Sequence, residues 1–129
     1  MLFRVSNRLE AMFRSHGNIR AMACPYFFPT SKAEGARQPA RAPLGVVYEG
    51  RCDLGGTVSL ETCNFGYGRG ICDAFPSDSV SDAVRFTRLG DRTIYILERE
   101  YLPVRHGDVN TLTGTLARQA EVFCEWAAR

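Results

Sequence analysis

Four cysteines, Cys24, Cys52, Cys63 and Cys72, are separated by 27, 10 and 8 intervening residues, each beside a proline, a glycine or a polar turn former. If they act together, they constrain the fold more than any other feature of the chain. Four sulfurs can meet on one centre only when the loops that carry them fold against each other, and irregular backbone turns side chains inward most easily. A fifth cysteine, Cys124, stands apart near the C-terminus and makes the total odd, so the thiols cannot all pair within the chain.

At 129 residues and 45% apolar composition, without an apolar run of membrane-spanning length, the chain reads as one small domain with no membrane span. A core of this size is marginal and gains from a staple, whether disulfide, metal or partner subunit. The net charge of +2 is uneven. Residues 1–43 hold seven basic and two acidic side chains, against nine and twelve in 44–129, so the body is acidic and nucleic acid is not an expected partner.

Residues 1–21 read as a basic N-terminal extension. Leu2, Val5, Leu9, Met12 and Phe13 share one face of a short amphipathic helix, which suits a dispensable extension before Met22, a partner helix or a targeting segment. It lacks the apolar core of a secretory signal, so a cytoplasmic, reducing compartment is expected and disulfides are disfavoured. Residues 22–129 form the cysteine-containing domain. Within it, 29–43 holds three prolines and no large apolar side chain, and reads as a flexible loop.

From Leu44 onward the pattern is of short strands: Val46 to Tyr48, the alternating Thr57-Val58-Ser59-Leu60, and a hairpin whose arms, 83–89 and 92–99, flank Gly90-Asp91. Ile94 and Ile96 face one way and Tyr95 and Leu97 the other, so the second arm is expected to be covered on both sides. Leu112, Leu116, Ala120, Phe123 and Ala127 then repeat at helical spacing over Thr111 to Ala128, with Arg118, Gln119, Glu121 and Glu125 on the other faces. Cys124 beside that stripe reads as a small core residue. The expected fold is a small single α+β domain of cysteine-bearing loops and short strands, with an antiparallel β-hairpin and a C-terminal helix.

The chemistry concentrates in Cys63-Asn64-Phe65-Gly66-Tyr67-Gly68-Arg69-Gly70-Ile71-Cys72. Glycines at alternate positions let main chain wrap closely round a buried anionic object. Tyr26, Phe65, Gly66, Tyr67, Gly68, Arg69 and Gly70 are expected to surround the four cysteines, as is His106 if it serves as a ligand or proton carrier rather than as a turn residue. Pro25, Phe27, Phe28, Phe75 and Pro76 add an apolar shell. No Cys-x-x-Cys knuckle of a structural zinc site is present, so an iron–sulfur cluster, as [4Fe–4S], is expected ahead of zinc, in a redox or structural role.

The segments Ala23 to Phe27, Arg51-Cys52, Cys63 to Cys72, Phe75-Pro76 and Asp82 to Phe86 resemble an uncharacterised group of small bacterial cysteine-containing proteins that begin near a Cys-Pro-Tyr-Phe element. The resemblance covers about residues 22–129. It implies that the four cysteines belong together and that residues 1–21 lie outside the shared part.

Other chemistries fit less well. Gly66-x-Gly68-x-Gly70 lacks the strand, helix and spacing of a nucleotide-binding loop, and an RNA-recognition strand carries fewer glycines. Glu98 and Glu100 alternate with Arg99 as a solvated face rather than as catalytic carboxylates. An enzyme is thus less expected than a metalloprotein. The competing reading is a metal-free interaction module or accessory subunit that docks a protein partner through residues 26–28 and the basic N-terminus.

Overall fold

The structure is a computed structural model and describes residues 21–33 and 47–127. The expected helix over 2–15, residues 34–43 of the expected loop, and Val46 lie outside the described residues.

Two antiparallel sheets carry the described residues. Strands β1 (Ala21–Ala23), β4 (Ala83–Leu89), β5 (Arg92–Arg99) and β6 (Leu102–Asp108) form one sheet in the order β1-β4-β5-β6, while β2 (Phe27–Lys32) and β3 (Tyr48–Cys52) form the other. Helix α1 (Leu60–Phe65) lies between β3 and β4 in sequence, and a 3-10 turn at Val109–Thr111 leads into helix α2 (Gly114–Ala127). This is the small α+β domain expected from the sequence, with its hairpin and C-terminal helix in place.

The hairpin holds residue for residue: Leu89 pairs with Arg92 across Gly90-Asp91, and Gly90 has φ +64. Only the first turn residue takes positive φ, which is the II′ arrangement that glycine favours. Residues 93 to 98 of β5 are all buried. Tyr95 and Leu97 join the main core with Phe86, Phe123, Val122 and Ala120, and Ile94 and Ile96 pack on the other face with Leu89. The Phe86 and Phe123 rings stack at 5.6 Å and fix α2 over β4.

Several expectations are corrected. Residues 29–32 are strand rather than flexible loop, and Ala33 packs with Val47. Proline is tolerated there because β2 pairs on one side only and its register shifts between Pro29 and Ser31. Thr57 to Leu60 is not a strand: Ser59 caps α1, accepting a hydrogen bond from the Thr62 amide, and its capping outweighs the weak alternation. His106 and Gly107 lie in β6 opposite Ile96 and Tyr95, not in a turn. The helix begins at Gly114 (φ +63) rather than Thr111. Cys124 is half-buried, its Sγ 3.6 Å from Thr93 Oγ1.

Glu98 is the largest departure from the expected pattern. It is fully buried, ion-paired with Arg85 at 2.8 Å and hydrogen-bonded by the Tyr67 hydroxyl. Only Glu100 of the expected charged pair is exposed.

Candidate functional site

Each cysteine is placed by a local device. Cys24 sits where the chain leaves β1 for β2: Pro25 occupies the turn, and the Phe27 amide closes it on the Cys24 carbonyl at 3.1 Å. Cys52 ends β3 and pairs with Phe27, so strand register brings it beside that turn, and the Asp53 amide bonds to the Tyr26 carbonyl at 2.9 Å. Cys63 lies in α1, not in a loop. Asn64, fully buried, pins α1 to β3 by accepting from the Tyr48 amide at 2.9 Å and donating to the Tyr48 carbonyl at 3.0 Å. Cys72 closes a turn on the Gly68 carbonyl at 2.7 Å.

The four cysteines line one cavity. With Tyr26, Phe27, Leu54, Phe75 and small residues, they line a narrow, open-mouthed cavity of about 20 Å³. A second, wider hollow shares Cys63 and Cys72 and adds Ser59, Ile71 and Asp73. The thiols feel one another. Burial pushes the Cys24 thiol up to about 12 against an opposing main-chain hydrogen bond from Tyr26, and the other three thiols push it the same way. Burial likewise raises Cys63, with Cys52 and Cys72 adding to the effect and the Ser59 main chain opposing it.

Glycine clears space beside the sulfurs. A Cβ on Gly56 would stand 3.5 Å from Cys52 Sγ and collide with Ala74, and one on Gly68 would stand 3.5 Å from Cys72 Cβ. Gly66 serves another purpose: with φ 80 and ψ −173 it ends α1, against Ala83 and the Ala23 carbonyl. Gly70 also takes positive φ, with open space around it.

Of the other expected neighbours, Tyr26 lines the cavity, bonds Ser79 Oγ at 2.8 Å and meets Phe75 edge-on. Tyr67 and Arg69 turn away from the sulfurs to anchor the glycine loop. Tyr67 reaches Glu98 and stacks on Tyr101, while Arg69 binds Asp82 at 2.5 Å and the Ser77 and Ser79 carbonyls. Phe65 is half-buried outside the lining, and His106 is exposed on β6, outside it too. Of the segment 26–28, Phe27 is buried, while Tyr26 and Phe28 are half-buried and Arg51 lies over the Phe28 ring at 4.0 Å.

Residues that sequence reasoning left aside include Leu54, Thr57, Thr62 and Ala74 in the lining and Gln119 and Arg118 behind it. Gln119 carried a faint signal, a polar residue directly before the core alanine Ala120. Among the described residues, no group of three or more His, Cys, Asp or Glu side chains is placed to hold a metal ion.

The chain matches no family model, no curated protein and no solved structure in comparison with known proteins. No helix among the described residues is long and apolar enough to cross a membrane.

Proposed function

We propose that this domain is a small metalloprotein that holds an iron–sulfur cluster, as [4Fe–4S], through Cys24, Cys52, Cys63 and Cys72, in a redox or structural role. One observation carries the reading: four cysteines from a turn, a strand end, a helix and a glycine loop line one apolar cavity. A set of four thiolates is the donor chemistry of such clusters and of other soft metals. A single zinc needs its sulfurs about 3.8 Å apart, from tetrahedral bonds of about 2.3 Å. Thiolates on separate irons of a cluster stand wider, so the two kinds of site ask for different sulfur spacings.

When bound, the cluster would supply one-electron transfer or a cross-link between the four elements. The chain's own residues do the rest. Tyr26, Phe27, Leu54 and Phe75 exclude water, Gly56 leaves room beside the Cys52 sulfur and Gly68 beside the Cys72 Cβ, and the clustered thiols, costly to ionise together, gain from a cation that neutralises them. The cluster reading favours electron exchange with a redox partner over catalysis.

Anaerobic purification followed by iron and sulfide reconstitution tests this. Brown protein with broad visible absorption and stoichiometric iron and sulfide is the expected result. Colourless protein with one bound zinc would replace the cluster with a structural zinc site. Protein that stays colourless and metal-free after reconstitution would overturn the metal reading in favour of an interaction module.

A further inference from the structure

Helix α2 contributes no sulfur to the cavity, yet it holds the segment that carries the first one. Gln119 is fully buried, and its Nε2 donates to the Cys24 carbonyl at 2.8 Å and to the Phe27 carbonyl at 2.7 Å. The next residue toward the N-terminus, Arg118, donates to the Pro29 carbonyl at 2.8 Å and to the Thr30 carbonyl at 3.1 Å. Two adjacent side chains thus take up four main-chain acceptors between Cys24 and Thr30.

We infer that Gln119 is a positioning residue of the thiol site, fixing Cys24 against Cys63 from behind without touching either sulfur. The chain at Cys24 passes from one sheet to the other, so strand pairing holds residues 21–23 and 27–32 but not Cys24 itself. What remains is the turn bond from Phe27, the bond from the Cys24 amide to the Cys63 carbonyl at 3.0 Å, and Gln119. Gln119 bridges both ends of that turn, because its two acceptors are the first and last turn residues. Without Gln119 the Cys24 carbonyl would keep only the Phe27 amide and the Phe27 carbonyl would lose a donor, a cost for buried polar groups that favours a two-proton donor at this helix position. Glutamine supplies both protons from one nitrogen and brings no charge into the core. An aliphatic side chain fills the space but leaves the turn free to open.

This assignment rests on the four-cysteine site, but its test reads the thiols in the metal-free chain. Wild type and Gln119→Met are treated with an alkylating reagent after reduction and metal removal, and each cysteine is followed separately by mass spectrometry. With two hydrogen bonds lost, Cys24 is expected to react about tenfold faster or more in Gln119→Met, while Cys52, Cys63 and Cys72 change by less than about twofold. Equal acceleration of all four thiols, or none at Cys24, overturns the assignment. If Gln119→Met does not fold, amide exchange of the wild-type chain decides instead. Residues 24–27 should open together with the middle of α2, and independent opening overturns the inference. Iron and sulfide reconstitution of wild type runs alongside. Its failure would remove the cluster and leave the alkylation result to judge Gln119, whereas normal reconstitution with unchanged Cys24 labelling would remove Gln119 alone.

Discussion

The amide of Cys24 donates to the carbonyl of Cys63 at 3.0 Å, so two cysteines 39 residues apart are joined through their backbones independently of their sulfurs. This bond ties the turn between the two sheets to helix α1. The thiol cavity is therefore a property of the fold, and any occupant would add to a framework held by main chain.

Loss of a sulfur should be felt most by the loaded protein. Cys63→Ser and Cys72→Ser are expected to lower the melting temperature of the reconstituted protein sharply, and that of the metal-free protein much less, since binding free energy in a small stapled fold becomes folding free energy. Calorimetry with and without reconstitution measures both. An unchanged melting temperature in both reconstituted variants would remove the metal site.

Alkali should destabilise the metal-free chain. The Cys24 thiol is pushed up to about 12 by burial, with its neighbours' charges assisting and the Tyr26 main chain opposing. Between the ordinary thiol range near 9 and that value, the folded chain holds a proton that the unfolded chain releases, so stability falls as pH rises through this window. Urea midpoints of the reduced, metal-free protein across this range should decline, and Cys24→Ala should flatten the decline.

Asp82 gives the opposite slope. Burial acts to raise its pKa, but the Glu100 amide and the Arg69 guanidinium prevail and hold it below the usual carboxylate range. A depressed folded pKa contributes stability that is complete above the unfolded value and is lost as pH falls through the folded one. Because Arg69 ties Asp82 to the glycine loop, acid should loosen Cys72 as well. Asp82→Asn should lose stability at neutral pH and show a shallower acid transition by circular dichroism.

Arg85 faces a carboxylate with no exposure to water. Arg85→Met should cost about 3–5 kcal/mol, because it leaves Glu98 buried without its cation. The double variant with Glu98→Leu should recover a large part of that. Denaturant unfolding of the two single variants and the double variant measures the coupling, and additive losses would contradict it.

Gly66 has backbone angles that only glycine adopts readily, and a Cβ there would lie 2.9 Å from Ala83 Cβ and 3.1 Å from the Ala23 carbonyl. Gly66→Ala is therefore expected to destabilise by at least about 1–3 kcal/mol, whereas Gly70→Ala, with open space around it, should suffer only the backbone term. Thermal melts of the two variants make the comparison.

The hairpin and the core face of α2 were legible because each rests on one local signal, Gly90 in the first case and helical spacing in the second. The grouping of Cys24, Cys52, Cys63 and Cys72 was legible from loop chemistry, although Cys52 and Cys63 proved to be in a strand and a helix. The β5–β6 turn was not. Its two turn residues, Glu100 and Tyr101, take φ +53 and +67 without a glycine or asparagine to announce it. Tertiary contacts outweigh propensity there: Asp82 accepts from the Glu100 amide, and Tyr67 stacks on Tyr101 at 4.4 Å. Glu98 and Gln119 were misplaced for a related reason. A polar residue reads as solvated until its partners are known, and those partners, Tyr67 and Arg85 for one and Cys24 and Phe27 for the other, come from distant parts of the chain.

The bridge from Gln119 to the Cys24 turn also sets a timetable. A ribosome delivers about 5–20 residues each second, and Cys24, Cys52, Cys63 and Cys72 all precede the strand that β1 pairs with and the helix that closes the turn. A nascent chain therefore presents four reduced thiols for several seconds before the residues that arrange them exist. Any ligand of the assembled cavity would have to arrive after α2 has been made, and until then the four thiols are open to other reactions.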